Sequence, residues 1–357
     1  MKVIDFNIKR YDLPLVKPLT INSNTIYHRS GVIIFLTDDA GFVGCGETAS
    51  LPGLHKESLD EAILQLKSLK EKILSLQVHP SLFDFNGRLK KIFSEDLFPS
   101  VRLGIEMALF NLFRQVDNTF INSKTTTVNI NGLVMPGDDL LAEVYSLLKQ
   151  GYSTIKIKVG RKSIDEDIKT VLTLKEIIKG KAVLRLDANR SWPLAEAIAF
   201  CRQVGPAAIE YIEEPLENIA DLAAFFKETA MPVALDETIA VQRVDSMKEL
   251  NGIDAFVLKP AVLGGFDRTA GFVRFAKKNH KKACLSSEFQ TSLTLEAFVA
   301  FAAKIGITDT THGLDTGRWL AEDLFVNPLA ISKGAIKISL LPPSPVNLRM
   351  DLLKDIY

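Results

Sequence analysis

The stretch that decides the fold is Thr154-Ile155-Lys156-Ile157-Lys158-Val159. Its isoleucines alternate with its lysines, which predicts a β-strand because successive side chains of a strand point to opposite faces. Helical patterns separate most of the comparable runs, which lie at residues 127–131, 183–187, 209–213, 233–236, 255–259, 283–287 and near 307–312. Strands that alternate with helices predict a parallel sheet, and this number of strands favours an α/β barrel over an open sheet.

Charged residues close four successive predicted strands. Asp187, Glu213, Asp236 and Lys259 follow one another at intervals of 26, 23 and 23 residues, so each interval spans one strand and one helix. A single acid after a strand is usually a helix cap. Charged residues on four successive strand ends indicate a site instead, because active sites of barrel enzymes lie at the carboxyl ends of the strands.

These residue types indicate a particular chemistry. Three carboxylates make an all-oxygen site, which suits Mg²⁺ or Mn²⁺ and not zinc. A hard dication could bind a substrate carboxylate and stabilise the enediolate that forms when its α-proton leaves. Lys156 and Lys158 point toward the barrel axis, and we expect Lys156 to lower the pKa of Lys158 by like-charge repulsion. Lys156, Lys158 and Lys259 are therefore the predicted catalytic residues.

Bulk composition narrows the class of protein. The 357 residues include 43 Lys and Arg against 43 Asp and Glu, so the net charge is zero and no nucleic-acid partner is predicted. The sparse cysteines, Cys45, Cys201 and Cys284, predict a reducing compartment. Without a visible signal peptide or a run of ~18 apolar residues, we expect a cytoplasmic protein with no membrane contact. The oligomeric state is left open.

The first part of the chain has a different pattern. Strand-like runs lie at residues 2–11, 31–37 and 42–46. Helical spacing then continues to residue 116, and strands followed by helices predict a separate small α+β domain. The predicted division of the chain is residues 1–120 for this domain, 121–327 for the barrel and 328–357 for a C-terminal segment that returns toward the first domain.

Five motifs, taken in order, make the chain resemble the enolase superfamily, in particular its muconate-lactonising-enzyme subgroup. The motifs are Lys156-Ile157-Lys158, Leu186-Asp187-Ala188-Asn189, Ile212-Glu213-Glu214-Pro215, Leu235-Asp236-Glu237-Thr238 and Leu258-Lys259-Pro260. The resemblance covers nearly the whole chain and implies an N-terminal α+β capping domain followed by a (β/α)₇β barrel. It implies Mg²⁺ ligands at Asp187, Glu213 and Asp236. It also implies residues that support the site from behind, namely Arg185, Glu214, Glu237 and Asp315.

Within the subgroup the chain is most similar to the o-succinylbenzoate synthase family. The similarity lies in segments at residues 44–47, 51–53, 262–265, 285–287 and 312–316. It implies dehydration of 2-succinyl-6-hydroxy-2,4-cyclohexadiene-1-carboxylate in menaquinone biosynthesis. By this resemblance Lys158 removes the proton α to the ring carboxylate and then assists loss of the hydroxyl, while Lys259 stabilises the enediolate as a cation.

Contacts to a small carboxylate substrate are implied by the same resemblance. Capping-domain loops near residues 20–25 and 50–55 would close over the substrate. The implied contact residues are Ser286, Ser287, Gly264, Gly265, Asn189, Leu51 and Pro52. The alternative for the two serines is a polar strand end, and for the two glycines a plain turn. One departure is that Gln290-Thr291 stand where many relatives have Glu-Ser.

Two other functions compete with this one. The first is racemisation of N-succinylamino or other N-acylamino acids, or epimerisation of dipeptides. Enzymes of both kinds use the lysines that correspond to Lys158 and Lys259 as opposed bases. Dipeptide epimerases usually carry Asp-x-Asp after the eighth strand to hold an amino group, whereas residues 315–317 read Asp-Thr-Gly and lack the second acid. The other alternative is a catalytically silent barrel used as a binding protein, which the retention of three acids and three lysines disfavours.

Overall fold

The computed structural model of the chain describes residues 1–93, 96–117, 121, 125–135, 139–241, 244, 252–339 and 345–356. Its described strands are β1 (Val3–Ile21), β2 (Asn24–Asp38), β3 (Val43–Thr48), β4 (Thr125–Asn129), β5 (Gly132–Val134), β6 (Thr154–Lys158), β7 (Val183–Asp187), β8 (Ile209–Glu213), β9 (Val233–Leu235), β10 (Ile253–Leu258), β11 (Lys282–Leu285), β12 (Ile331–Ser332), β13 (Ala335–Ser339) and β14 (Lys354–Asp355).

Its described α-helices are α1 (Leu59–Ser68), α2 (Lys70–Leu74), α3 (Arg88–Ile92), α4 (Pro99–Val116), α5 (Leu140–Lys149), α6 (Ile164–Ile178), α7 (Leu194–Val204), α8 (Leu222–Thr229), α9 (Glu237–Val241), α10 (Pro260–Leu263), α11 (Phe266–Lys278) and α12 (Ser292–Ile305). None of the helices in the described ranges is both long and apolar enough to cross a membrane.

An antiparallel sheet in the order β14-β1-β2-β3 forms the capping domain. Strands β1 and β2 are longer than the runs predicted for them, because they continue beyond Pro14 as a hairpin arm. Asn22 and Ser23 turn the chain at the tip of the arm with positive φ angles of 44° and 69°. A two-residue hairpin turn favours such angles because they match the twist of its strands. The tip residues line the same cavity as the barrel lysines.

Helix α4 packs directly on β3 because glycines leave room for its backbone. A Cβ atom on Gly46 would lie 2.0 Å from the carbonyl oxygen of Gly104 and 2.6 Å from the amide nitrogen of Ala108. The helix is buried continuously from Ser100 to Arg114. It also contacts α10, α11 and α12 of the barrel, so it forms a shared apolar layer between the two parts of the molecule.

Seven parallel strands form the barrel sheet, in the order β5-β6-β7-β8-β9-β10-β11. The run predicted at residues 127–131 is not the first of these strands. Strand β4 pairs antiparallel with β13 in a separate three-stranded sheet, while β5 pairs with β6. The threonine-rich β4 is mostly exposed, which suits an antiparallel sheet with one solvated face and not a barrel strand that is covered on both faces.

Residues 307–312, all of them described, form turns in place of the expected eighth strand. His312 and Gly313 make single parallel bridges to Ile130 and Ser286, so they join the two edges of the seven-stranded sheet. The predicted α/β fold is thereby confirmed: an N-terminal capping sheet and a curled parallel sheet of barrel type. The last element of the barrel is shorter than expected.

Arg185 crosses this seam from inside the barrel. Its Nη1 donates to Asn131 Oδ1 at 3.0 Å and its Nη2 donates to the Thr311 carbonyl oxygen at 3.0 Å. Its Nε donates to Glu210 at 2.8 Å, and its guanidinium lies 4.9 Å from the ring centre of Tyr211. The described contacts of Arg185 therefore hold the barrel wall together below the acidic strand ends.

A buried ion pair and a short strand join the two parts of the chain. Arg114 of α4 donates two hydrogen bonds to Glu296 of α12, at 3.0 and 2.7 Å. Strand β14 pairs with Lys9 and Arg10 at the edge of the capping sheet. The proposed division of the chain after residue 120 stays a prediction, since residues 118–120 lie outside the described ranges.

Replacing Gly46 with Ala is expected to lower the free energy of unfolding by about 1–3 kcal/mol, because the added methyl group overlaps the backbone of α4. Gly271→Ala is the matched control. A Cβ there meets no atom closer than 3.9 Å, and alanine is favoured in a helix interior by ~0.5–1 kcal/mol. Urea denaturation followed by circular dichroism measures both. Equal midpoints for the two variants would contradict the close packing of α4.

Candidate active site

The acidic strand ends meet because parallel strands share one carboxyl edge. Asp187 pairs in register with Glu213 across β7 and β8, and Lys158 pairs with Asp187 across β6 and β7. Asp236 follows β9 directly. The three acids are only 1%, 0% and 5% exposed, so each carboxylate has lost nearly all of its contact with water. Buried carboxylates need positive partners, because an unpaired charge is costly in a medium of low polarity.

Lys156 supplies a positive charge between two of the acids. Its Nζ lies 2.6 Å from Glu213 Oε2 and 2.8 Å from Asp187 Oδ2. Burial alone would lower the pKa of Lys156, but the carboxylates of Asp187 and Glu213 outweigh it and raise that pKa. Lys156 is therefore held as a cation, and its described contacts are those of a charge partner for the acids.

Lys158 stands at the edge of the same group and lines a cavity. Its Nζ donates to Asp187 Oδ2 and to Asn189 Oδ1, both at 2.7 Å. Asn189 in turn donates to Glu237 Oε1 at 2.7 Å, and Arg161 donates to Asn189 at 3.0 Å. These bonds fix the position of the Lys158 amine. The expected effect of Lys156 on the pKa of Lys158 stays a prediction.

Lys259 enters from the far side, at the end of β10, and its Nζ contacts Asp236 Oδ2. Burial opposes the charge on Lys259, yet Asp236 and Glu237 raise its pKa above the usual range. For Asp187, burial is likewise outweighed, and Lys156 and Lys158 hold its pKa well below the usual range. The site is thus a set of alternating charges in which lysines contact all three carboxylates.

The carboxylate of Glu213 is incompletely paired. Its Oε1 is buried and has no hydrogen-bond partner among the described residues. Burial and the charge of Asp187 raise the pKa of Glu213. Among the described residues, no group of three acidic, histidine or cysteine side chains is placed to hold a metal ion. Lysine ammonium groups lie against the carboxylates of Asp187, Glu213 and Asp236. An unpaired buried oxygen in an all-carboxylate set fits a hard divalent cation.

Glu214 points away from this group. Its backbone takes a positive φ of 43°, which turns the side chain behind the acids. The carboxylate accepts hydrogen bonds from the backbone nitrogens of Asp236 and Thr238, at 2.8 and 2.7 Å, and from the Thr238 hydroxyl at 2.8 Å. Burial raises the pKa of Glu214 to about 7. Glu214 thus fixes the backbone that carries Asp236.

A cavity of about 780 Å³ lies above the acids, between the barrel mouth and the capping domain. The predicted site residues that line it are Lys156, Lys158, Lys259, Asp187, Asn189, Glu237, Ser286, Ser287, Asp315 and Leu51. Asn22 and Ser23 of the hairpin tip also line it, as does Arg161. The predicted residues that do not line it are Glu213, Asp236, Glu214, Arg185, Gly264, Gly265 and Pro52.

The two predicted substrate-binding glycines have another place in the structure. Gly264 ends α10, and a Cβ on Gly265 would lie 2.4 Å from Glu106 Oε2 of α4. Glu106 also accepts a hydrogen bond from the backbone nitrogen of Asp267. The glycines form the turn between α10 and α11, and they allow α4 to approach the barrel. Pro52 is exposed beside the buried Leu51.

Glu288 is a cavity residue that the sequence prediction missed. It follows β11, directly after the predicted Ser286 and Ser287, and is 2% exposed. A signal for it was present, because Glu288 is an acid that directly follows the two serines at the end of a predicted strand.

Two family models match the chain over most of its length. Residues 139–345 match the model described as "Enolase C-terminal domain-like". Residues 4–112 match the model described as "MenC, N-terminal domain".

Two curated proteins are similar to the chain in sequence over most of its length. The chain is 31% identical over 376 residues to the protein PHYLLO, chloroplastic, of Arabidopsis thaliana, covering 92% of this chain and 22% of that protein. It is 31% identical over 312 residues to the o-succinylbenzoate synthase of Pectobacterium atrosepticum, covering 86% of this chain and 88% of the relative.

The L-Ala-D/L-Glu epimerase of Bacillus subtilis is similar in both sequence and fold. It is 27% identical over 362 residues, covering 95% of this chain and 94% of the epimerase. Its substrate-liganded structure superposes with a TM-score of 0.83 at 24% identity over the full length of both chains. With the two family models and these relatives in agreement, the chain belongs to the muconate-lactonising-enzyme subgroup of the enolase superfamily of enzymes.

Proposed function

We propose that this enzyme removes a proton α to a carboxylate and, specifically, dehydrates 2-succinyl-6-hydroxy-2,4-cyclohexadiene-1-carboxylate to o-succinylbenzoate, a step of menaquinone biosynthesis. The observation that carries the proposal is the position of Lys158, whose amine lines the cavity 2.7 Å from Asp187 at the edge of the acidic group. The match of residues 4–112 to the MenC N-terminal model supports the choice of substrate.

Asp187, Glu213 and Asp236 would hold Mg²⁺, with Mn²⁺ as the other hard cation that such ligands accept. Superfamily members of the same fold are described in complex with Mg, such as the dipeptide epimerase of Enterococcus faecalis. A bound Mg²⁺ would supply positive charge near the substrate carboxylate. The unpaired Oε1 of Glu213 supports this assignment of ligands.

The lysines perform the proton transfers in this proposal. Lys158, as the free amine, accepts the α-proton, and the C–H electron pair moves into the ring carboxylate to give an enediolate. The Lys158 ammonium then returns its proton to the departing hydroxyl group. The C–O bond breaks, water leaves and the ring becomes aromatic. Lys259, which is held as a cation beside Asp236, stabilises the negative charge of the enediolate from the other side.

Asp315 argues against a dipeptide as substrate. Its Oδ1 accepts the hydroxyl of Tyr152 at 2.9 Å. Its Oδ2 accepts the backbone nitrogen of Leu133 at 3.0 Å and lies 3.0 Å from Nε of Arg318. Because protein donors occupy both oxygens, Asp315 has little capacity left to hold the amino group of a dipeptide, and the second acid that dipeptide epimerases use is absent from residues 316–317.

A second candidate function is racemisation of an N-succinylamino acid. One observation favours it: Lys158 and Lys259 line the same cavity from β6 and from the end of β10, as two opposed bases require. An N-succinylamino acid also carries a carboxylate and a succinyl arm, so it presents the same polar groups as the cyclohexadiene substrate.

Lys158→Ala is expected to lower kcat/KM for the dehydration by roughly 10³-fold or more, because the base and the acid of the proposal are lost together. Conversion of the cyclohexadiene substrate is followed spectroscopically in the presence of Mg²⁺. The fold and the Mg²⁺ affinity should be retained, which circular dichroism and calorimetry check. Lys162→Ala, an exposed lysine four residues later, is the control and should behave as wild type.

The same preparations separate the two candidate functions. Wild-type enzyme in D₂O is incubated with N-succinylamino acids, and deuterium at the α-carbon is measured by NMR. Exchange without any aromatisation of the cyclohexadiene substrate would favour the racemase. A Lys158→Ala protein that dehydrates at the wild-type rate would exclude the proposed mechanism in any case.

Glu213→Gln is expected to weaken Mg²⁺ binding at least about tenfold, because an amide replaces one charged ligand of a hard cation. Isothermal titration of the metal-free proteins with MgCl₂ measures the change. Glu217→Gln is the same substitution at an exposed position four residues along the chain, and it should leave the affinity unaltered. Equal affinities for the two variants would place the metal elsewhere.

A further inference from the structure

Glu288 is a buried acid of the cavity that the proposed mechanism does not use. It lies in the loop between β11 and α12 and is 2% exposed. The loop is fixed from the capping domain, because Glu47 of β3 accepts hydrogen bonds from the hydroxyls of Thr291 and Thr294, at 2.7 and 2.6 Å. Glu288 therefore has a defined position at the cavity wall.

The two carboxyl oxygens of Glu288 differ in their surroundings. Oε2 accepts a hydrogen bond from Gln290 Nε2 at 2.6 Å, and Gln290 Oε1 accepts the backbone nitrogen of Glu288 at 2.6 Å. Oε1 is buried and has no hydrogen-bond partner among the described residues. A buried polar atom without a partner is destabilising, so this oxygen is available to a group that enters the cavity.

Charged groups face Glu288 from three other elements. Lys259 stands at the end of β10, Arg29 belongs to β2 and Glu47 belongs to β3. The Arg29 guanidinium is already engaged by the carbonyl oxygens of Ala49 and Ser50. Burial is the strongest influence and raises the pKa of Glu288 to about 7, against the opposing effects of Lys259, Gln290 and Arg29. The neutral acid is therefore abundant near neutral pH.

We propose that Glu288 contacts the substrate as a carboxylic acid, donating its O–H to an oxygen of the substrate carboxylate, and that an ionised Glu288 takes up one proton from solvent when that carboxylate binds. The inference rests on the proposed binding of a carboxylate in the cavity. It adds a substrate-binding residue and a coupling between binding and pH to the proposed function.

The coupling between substrate binding and pH follows from repulsion between two negative charges. An ionised Glu288 would place a second negative charge against the substrate in a buried site, where like charges repel strongly. The protonated acid instead offers a donor. Below its pKa the donor is present. As pH rises through that pKa the donor is lost, and each further pH unit then costs up to about tenfold in affinity at a single titrating group.

The test is isothermal titration of the full-length protein with o-succinylbenzoate in saturating Mg²⁺. Wild type and Glu288→Gln are compared at pH 6 and pH 8, in buffers of different ionisation enthalpy that report proton uptake. The glutamine variant keeps a donor that does not titrate. At pH 6 the two affinities should agree within about twofold. At pH 8 the variant should bind about tenfold more tightly than wild type and take up close to one proton fewer per ligand.

Glu106→Gln is the matched control. Glu106 is also a fully buried acid, and burial raises its pKa to about 8. It lies on α4, contacts Asp267 of α11 and does not line the cavity. Its variant should show the wild-type proton uptake on binding. Loss of uptake in Glu106→Gln as well would assign the proton to a general effect of domain packing and overturn the inference.

The outcomes separate this inference from the proposed function. Wild-type binding with the same proton uptake in Glu288→Gln overturns the inference and leaves the dehydration standing. Wild-type protein that binds and takes up the Glu288-dependent proton, but does not dehydrate the cyclohexadiene substrate, supports the inference and refutes the dehydration. Failure of wild type to bind o-succinylbenzoate at millimolar concentration contradicts both.

Discussion

The burial of three carboxylates at one end of a parallel sheet is the constraint on which the rest of the structure depends. Asp187, Glu213 and Asp236 have almost no contact with water, and isolated charges in such a place are strongly destabilising. Lys156 and Lys259 are drawn against them and held as cations. Lys259, which stabilises the enediolate in the proposed reaction, is therefore also one of the lysines that make the acidic strand ends tolerable.

The capping domain completes this arrangement from above. Glu47 of β3 holds the loop after β11 through threonine hydroxyls, and Tyr11 donates to the same carboxylate. The hairpin tip at Asn22 and the buried Leu51 close the other side of the cavity. Because walls come from both parts of the chain, the tight packing of α4 on β3 and on the barrel also maintains the shape of the cavity. Stability of the interface and geometry of the site are thus linked.

The charged residues could be predicted from the sequence because their positions follow two regular patterns: alternation within a strand and the repeat of one strand and one helix. Alternation in residues 154–159 sets the inward face of β6, and regular intervals carry the acids to successive strand ends. Residues 127–131 misled the prediction, since a run in which polar and apolar residues alternate fits an antiparallel strand as well as a barrel strand. Gly264 and Gly265 do not line the cavity because they face α4, a contact between residues distant in sequence. The surroundings of Glu288 were likewise hidden from the sequence, because they come from three elements that are distant from it in the chain.

The polar atoms that a cavity leaves unpaired describe the ligand it accepts. Protein donors already occupy both oxygens of Asp315, so that acid has little attraction left for a cationic ligand group. Buried oxygens of Glu237 and Glu288 are without partners among the described residues. A ligand carboxylate that meets Glu288 therefore requires a proton on it, because two acceptors do not bond to each other. We therefore expect an anionic ligand to bind beside Glu288 only when that acid carries a proton.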